Sequence, residues 1–372
     1  MKVRGAVLRS APSEFEVVEL DLDGPRQGEI TVKMAASGLC HSDYSIASGV
    51  HHVQHLPMVM GHEGAGVVAE VGPHTPGWAV GDHVVLSALP SCGRCRMCSR
   101  GRGNLCDLNA SLLYGSRFDD PASYRMRLDG HDVGQWCGIS TFSEYTTVGT
   151  SSAVRIDPSI PLDKACLVGC GVNTGWGSTA NFGEVGPGDT VIVMGIGGIG
   201  AFALQGARHR GATHVIAVDP VDFKRQMAPR FGATHVAATI QEADDIARSL
   251  TRGQGADVAC ITVGLLEPEH IQQAYAAVGK GGTVVVTALG DTQHVGMPVP
   301  VYEMTVFQKR IQGSMFGGVS PMWDITKMLD MYAGGQLELD QVVTSTYKLD
   351  DLNLGYRDML EGRNIRGVVL FD

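Results

Sequence analysis

Cys40-His41-Ser42-Asp43, Gly61-His62-Glu63 and Cys170 supply the residue types that bind a metal ion and put it to use. Two thiolates and an imidazole are three soft or borderline ligands. They leave the fourth position of a tetrahedral zinc open, as a catalytic site must if water or substrate is to enter. Asp43 is a carboxylate suited to orient His62, because such a partner fixes the tautomer of a ligand histidine and raises its basicity. The alternative for Asp43 is to cap a helix beginning at Ser45-Ile46-Ala47. His41 offers a cation for phosphate and Ser42 a hydroxyl for proton passage. His62 follows Cys40 by 22 residues and Cys170 follows by a further 108. That spacing is met as well by two buried structural cysteines and a core histidine. His51, His52 and His55 fall in an irregular stretch and read as solvated or rim residues.

A second cysteine group is more compact. Cys92, Cys95, Cys98 and Cys106 form a C-x2-C-x2-C-x7-C pattern within 15 residues. Four thiolates this close can enclose zinc tetrahedrally without distant sequence, and a closed shell is structural because no position remains for substrate. An iron-sulfur cluster is the competing reading, but the proline-bracketed ferredoxin pattern is missing. Cys137, Cys166 and Cys260 read as packed small hydrophobes, with the pocket wall as the alternative for Cys137.

The third motif is Gly195-Ile196-Gly197-Gly198-Ile199-Gly200. It follows the apolar run Thr190–Met194, precedes an alanine-rich helical pattern reaching Gly211, and is followed by the apolar run His214–Val218 ending at Asp219. Strand, glycine turn, helix, strand and acid in that order form the dinucleotide fingerprint. Gly195 makes the turn, Gly197 lets the backbone approach a pyrophosphate, and Gly200 permits close packing of helix on strand. The helix N-terminus, with Gly198, supplies amide donors. Asp219 accepts from the ribose hydroxyls and repels a 2′-phosphate, which favours NAD over NADP. Lys224 and Arg225 lie nearby and weaken that preference.

The elements that must position these motifs divide the chain in two. At 372 residues, it exceeds what one core usually supports. Residues 1 to about 90 alternate short β-rich runs with glycine and proline, as a partly antiparallel β domain does. Residues 107–140 show no clear period and read as a long loop over a substrate pocket. The segment from Cys170 to Gly175 reads as a tight glycine-bounded corner. Further strands at Asp257–Thr262 and Gly282–Thr287 extend a parallel sheet, 301–316 resumes a β-rich pattern, and the tail carries helices at Trp323–Ala333 and Leu352–Glu361 and a strand at Gly367–Phe371. The expected architecture is α/β: a doubly wound parallel sheet domain over 172–317, and a mostly β catalytic domain over 1–171 and 318–372.

Composition excludes other classes. Apolar residues are 44% and charged residues 18%, the balance of a globular chain. A net charge of −10 with no basic block disfavours nucleic acid and anionic membranes as partners. The most apolar stretch, 191–204, is interrupted by four glycines and is too short to span a bilayer. The N-terminus has no apolar secretory core, so the expected location is the cytoplasm, where nine cysteines are thiols or metal ligands.

Taken together, Gly-Leu-Cys40-His-Ser-Asp, Gly61-His-Glu-Gly-Ala-Gly, the four-cysteine cluster, Cys170-Gly-Val-Asn-Thr-Gly and the glycine turn resemble the zinc-dependent medium-chain alcohol dehydrogenases along the whole chain. The long 107–140 segment is similar to the long-loop, class III-like members. The runs Gly313–Pro321 and Gly362–Gly367 are similar to the actinobacterial nicotinoprotein branch, whose members keep their cofactor and are assayed with a nitrosoaniline dye. The resemblance implies a GroES-like catalytic domain, NAD and two zinc ions. Cys40, His62 and Cys170 would be the catalytic ligands, and Cys92, Cys95, Cys98 and Cys106 the structural ones. Glu63 would lie behind the metal, Ser42 would be the first proton acceptor, His41 and Arg366 would contact the pyrophosphate, and Thr174 the nicotinamide. Substrates would be small alcohols or aldehydes and the assembly a homodimer, with a tetramer as the alternative. Ser45 stands where many members have a relay histidine, which puts the proton exit in question. No acid precedes Gly61-His-Glu, which argues against a glutathione adduct, and a small Ala88 leaves room for a bulky alcohol.

Overall fold

The computed structural model describes residues 1–372 and contains three sheets. Apolar β-branched runs at Thr190–Met194, His214–Val218 and Ala256–Ile261 are buried except at His214 and Asp257, which requires cover on both faces. They form the centre of a six-stranded parallel sheet. Its spatial order places the strands, numbered as they occur in the chain, as 3-2-1-4-5-6, from His235–Ala237 at one edge to Arg310–Gly313 at the other. This is the doubly wound dinucleotide-binding order, whose ligand crevice opens where the order reverses. Here that point lies between Thr190–Met194 and Ala256–Ile261, which are followed by Gly195 and Thr262.

The remaining strands build a β unit. Lys2–Leu8, Glu16–Leu22, Met126–Leu128, His131–Gln135 and Met58–Val59 close a small barrel. Beside it, Glu29–Gly38 is the spine of a seven-stranded sheet. It pairs antiparallel with Gly64–Val71, with Tyr145–Gly149 and with the C-terminal strand Arg366–Leu370. The last strand therefore returns to the N-terminal unit. One apolar cluster joins Ala36, Ala65 and Val85 of this unit to Phe202 and Val193 of the parallel sheet. No helix is long and apolar enough to cross a membrane.

Three expectations are corrected. Residues 107–140 are not a loop throughout, because Met126–Leu128 and His131–Gln135 form a hairpin that completes the barrel. The period was hidden because these strands are short and carry arginine, histidine and aspartate. Residues 301–316 begin with the helix Val301–Val306 rather than a strand, and only Arg310–Gly313 is β. Cys170 does not end a corner; it precedes the helix Gly171–Gly177 as its N-cap. An additional strand, Val343–Tyr347, pairs parallel with Arg366–Leu370.

The 107–140 segment is fastened by buried charge. Glu29 Oε1 accepts from Arg117 Nε at 2.9 Å and Arg125 Nε at 2.8 Å, and Oε2 accepts from the Arg26 N–H at 2.9 Å. Burial opposes ionisation of Glu29, but Arg125 and the hydrogen bonds outweigh it and hold the carboxyl below its ordinary value. A carboxyl lowered in the fold adds stability above its unfolded pKa, and that contribution is lost as pH falls through the folded value. Replacing Glu29 by Gln leaves the Arg125 guanidinium buried without its paired carboxylate and Arg117 with only Asp23, 3.9 Å from its Nη2, and should cost about 3–5 kcal/mol. Urea denaturation at neutral pH measures it, and the gap to wild type should narrow in acid. A loss under about 1 kcal/mol would mean that the pair is not buried in solution.

Candidate active site and cofactor crevice

Cys40 follows the spine strand Glu29–Gly38 and is the N-cap of the helix His41–Ala47. His62 and Glu63 occupy the turn between Met58–Val59 and Gly64–Val71. Gly61 makes that turn with φ +88°, and a Cβ there would lie 2.6 Å from the Phe142 nitrogen. Cys170 comes from the entry to the next helix. These separate turns converge: the ligand atoms of Cys40, His62, Glu63 and Cys170 all lie within 4.8 Å of one another.

Asp43 lies inside its helix and does not cap it. Its Oδ1 accepts from the Gly61 N–H at 2.9 Å, and Oδ2 lies 3.0 Å from His62 Nδ1. Trp136 Nε1 also approaches Nδ1, at 3.2 Å. An indole N–H can only donate and an ionised carboxylate can only accept, so one nitrogen cannot serve both. Asp43 Oδ2 is buried and has no other partner, which assigns the proton to Nδ1 and leaves Nε2 free as a ligand atom. Burial pushes the His62 pKa down, but the charges of Asp43 and Cys40 prevail and raise it well above its ordinary value. The Cys40 thiolate is favoured first by a hydrogen bond from Cys170, against burial, and next by the His62 charge. A buried thiolate, an imidazole with its Nδ1 proton held by Asp43 and an unpartnered Glu63 Oε1 suit a divalent cation, which displaces protons from such donors on binding.

The crevice beside this cluster is about 340 Å3 and is lined by Cys40, His41, Gly195, Gly197, Asp219 and Arg366, among others. Gly195 has φ +91°, a Cβ on Gly197 would meet nothing within 4 Å, and one on Gly200 would fall 1.9 Å from Gly195 O. Turn, open face and tight packing are thus divided among three glycines. Gly198 opens the helix Gly198–His209, and a Cβ there would strike Arg366. Asp219 accepts from the Ile196 N–H at 2.7 Å and the Val221 N–H at 2.9 Å, with Lys224 Nζ 3.9 Å away. Such a groove, with amide donors at a helix N-terminus, fits a pyrophosphate. His41 lines it, but not as the expected cation. Burial lowers its pKa against the opposing charge of Cys40, and Lys224 and Arg366 lower it further, which disfavours the charged ring.

Ser42 Oγ lies 3.8 Å from Cys40 Sγ. Thr174 stands one helical turn beyond Cys170 and donates to its carbonyl at 2.8 Å. Ser45 Oγ is tied back to His41 O at 3.0 Å. His51 is not simply solvated: its ring donates to Gly290 O at 2.8 Å, across to the parallel-sheet unit. His55 stacks on Tyr124 with centroids 4.6 Å apart. Cys166 and Cys260 are core residues, and burial lifts the Cys137 thiol to about 12.

Cys92, Cys95, Cys98 and Cys106 also have ligand atoms within 4.8 Å of each other. Backbone N–H groups of Cys95 and Cys98 donate to the sulfurs of Cys92 and Cys95 at 3.3 and 3.4 Å. The Cys98 N–H leads in lowering Cys95 to about 6, while burial leads in raising Cys106 to about 12. This lobe abuts 315–321, where Asn104 Nδ2 donates to Met315 O at 2.9 Å. The next residue, Phe316, packs with Ala88, Leu89 and Val319 against Cys170 and Leu112. The sequence did not single out Phe316 or Leu112, and Trp136 stood out only as one of the aromatics of the 107–140 segment expected over the pocket. Only the Gly317-Gly318 pair, which lets the chain turn sharply after Phe316, was a visible signal.

The family pattern of the alcohol dehydrogenase GroES-like domain matches residues 26–158, and that of zinc-binding dehydrogenases matches 198–333. Over 370 residues the chain is 47% identical to the NDMA-dependent alcohol dehydrogenase of Amycolatopsis methanolica, covering 100% of this chain and 99% of that protein. An alcohol dehydrogenase zinc-binding domain protein from Burkholderia ambifaria has a similar structure, with TM-score 0.92 and 30% identity over 100% of this chain and 99% of that one. Benzyl alcohol dehydrogenase from Acinetobacter calcoaceticus follows at TM-score 0.90 and 28% identity, with 100% of both chains covered.

The position of Asp219 predicts cofactor choice. Asp219→Ala should shift the ratio of NAD to NADP affinity at least tenfold toward NADP, because a repulsive carboxylate is removed and Lys224 is freed; a tenfold change corresponds to about 1.4 kcal/mol. Paired titrations of wild type and variant measure it. An unchanged ratio would mean that the carboxylate does not face the ribose.

Proposed function

Because the chain belongs to the zinc-binding alcohol dehydrogenase family, we propose that it interconverts a primary alcohol and its aldehyde at the junction of the four-residue cluster and the glycine crevice. The observation that carries this reading is that Cys40 belongs to both, contributing a ligand atom to the cluster and lining the crevice. Cys40, His62 and Cys170 would hold zinc, which would supply a Lewis acid toward an alcohol oxygen, and the crevice would hold NAD, whose chemistry is hydride acceptance. Ser42 Oγ would accept the alcohol proton only while passing its own hydroxyl proton on toward solvent. Ser45 does not carry it onward, since its hydroxyl is committed to His41 O. Asp43 keeps His62 in the ligand tautomer, and Glu63, paired with Arg366, stands behind the ligands. Arg366, His41 and the glycine-turn amides hold the pyrophosphate, Asp219 and Lys224 the ribose end, and Thr174 the nicotinamide. The four-cysteine lobe takes a second, structural zinc.

The substrate side favours an alcohol with an apolar, bulky tail. Ala88, Leu89, Leu112, Phe316 and Val319 form an uncharged wall around Cys170. A polyanionic thiol adduct would find no counter-charge there.

The cofactor is retained between turnovers and re-oxidised in place by a second substrate. The support is the 47% identity to a protein named NDMA-dependent, together with the C-terminal runs that resemble the nicotinoprotein branch. The protein works in the cytoplasm as a homodimer. The sheet ends at the exposed strand Arg310–Gly313, flanked by Val301 and Tyr302 at 75% exposure and Val306 at 50%. An open edge beside an apolar patch suits self-association. Denaturing the purified protein should release close to one nicotinamide nucleotide per chain, and the intact preparation should sediment as a dimer and turn over alcohol with a nitrosoaniline acceptor. A cofactor-free preparation with ordinary NAD-linked turnover would contradict retention, and a monomer would contradict the interface.

A further inference from the structure

Three neighbouring strands of the parallel sheet end in hydroxyls. Thr262 follows Ala256–Ile261, Thr287 follows Val278–Val286, and Ser314 follows the edge strand Arg310–Gly313. All three stand on the rim where a doubly wound sheet takes its ligand. Asp219 ends a strand on one side of the point where the strand order reverses and marks the side of the adenosine ribose. The other half of a dinucleotide bound across that point extends the opposite way, over the ends carrying Thr262, Thr287 and Ser314. Thr262 lines the crevice and is tied to the glycine turn, donating to Gly195 O at 2.7 Å.

The other two hydroxyls meet at one atom. Thr287 Oγ1 donates to Ser178 Oγ at 2.8 Å, and Ser314 Oγ lies 2.8 Å from the same oxygen. Ser178 Oγ lies 2.6 Å from Thr174 O. A carbonyl can only accept, and a hydroxyl has one proton and two lone pairs. The Ser178 proton therefore goes to Thr174 O, and its oxygen accepts from Thr287 and Ser314 together. Thr174 repeats the arrangement one turn earlier, its hydroxyl donating to Cys170 O at 2.8 Å. A ladder of hydroxyls thus runs from two strand ends to a residue of the metal cluster. Ser178 is fully buried and Thr287 nearly so. Ser178 also opens a π-helical turn, Ser178–Phe182, that continues the helix Gly171–Gly177. Such turns are rare and are frequent at functional sites. The segment after Ser314 presses on the same helix, because a Cβ on Gly177 would strike Gly317 O.

We propose that Thr287 and Ser314, acting through Ser178, are positioning residues for the nicotinamide end of the cofactor. They hold the helix of Cys170 and Thr174 at a fixed separation from the strand ends over which that end lies. The helix cannot draw back without breaking two buried hydrogen bonds, so the ring is walled on both sides and its departure is slowed. The adenosine half is held elsewhere, by Asp219 and the glycine turn, and does not feel this tie.

The proposal rests on the reading of the crevice as an NAD site, and release kinetics separate the two. The purified protein is exchanged at length with NADH or with ADP-ribose, which has the adenosine and the pyrophosphate but no nicotinamide. Each loaded sample is chased with an excess of the other compound, and NADH fluorescence reports the release. Thr287→Val keeps the shape of the side chain and removes its hydroxyl. It should release NADH about tenfold faster and ADP-ribose at the wild-type rate. Thr287→Ser, which keeps the hydroxyl, should release both at the wild-type rates. Unchanged NADH release from Thr287→Val, equal acceleration of both compounds, or a Thr287→Ser as fast as Thr287→Val overturns the proposal. Should Thr287→Val fail to fold, Ser314→Ala takes its place at a half-buried position. It should accelerate NADH release alone, and an unmoved rate or equal acceleration of both compounds overturns the proposal. Wild type that binds neither compound contradicts the NAD reading itself, and the proposal with it.

Discussion

Arg366 and Glu63 form an ion pair with almost no exposed surface, and the geometry of both sites depends on it. Arg366 begins the last strand, Glu63 follows a metal-site histidine, and the guanidinium also borders the cofactor crevice. The pair dictates sequence around itself. A Cβ on Gly38 would fall 2.3 Å from Glu63 Oε2, and one on Gly198 would fall 2.0 Å from Arg366 Cδ. Glycine is therefore required at the end of the spine strand and at the start of the crevice helix for steric reasons, independent of cofactor. Removing one partner of such a pair costs about 3–5 kcal/mol, since the other charge stays buried.

That constraint explains why the C-terminal strand crosses back to the β unit. An arginine on the parallel-sheet unit alone could touch the crevice but not Glu63. By pairing with Glu29–Gly38, the strand Arg366–Leu370 places one side chain between metal cluster and glycine turn. The four-cysteine lobe has a comparable indirect reach. Asn104 holds the Met315 carbonyl, and Phe316, next in sequence, packs beside Cys170. The four-cysteine lobe is thus tied to the apolar residues packed against Cys170.

What was legible in the sequence was whatever is local. The glycine turn with its two strands and Asp219 spans about thirty residues of continuous logic, and the four cysteines lie within 15. Asp43 was legible only as a choice between two roles, because the Gly61 N–H and His62 that decide it come from another strand's turn. The hairpin at 126–135 was illegible for a different reason: Arg127 and Asp132 face each other across it as an ion pair, and only barrel closure makes strands of such polar residues. Val301–Val306 reads as β by propensity and is helical in place, a case of tertiary context overriding a weak local preference.

The central claim is that one chain holds two zinc ions with different tasks. Elemental analysis of wild type, Cys170→Ser and Cys95→Ser, each with a melting curve, tests it directly. The account predicts two zinc ions per chain in wild type. It predicts one in Cys170→Ser, with a folded protein that does not oxidise alcohol, and a destabilised Cys95→Ser because a structural metal contributes to folding. One zinc per chain in wild type, or an active Cys170→Ser, would contradict it.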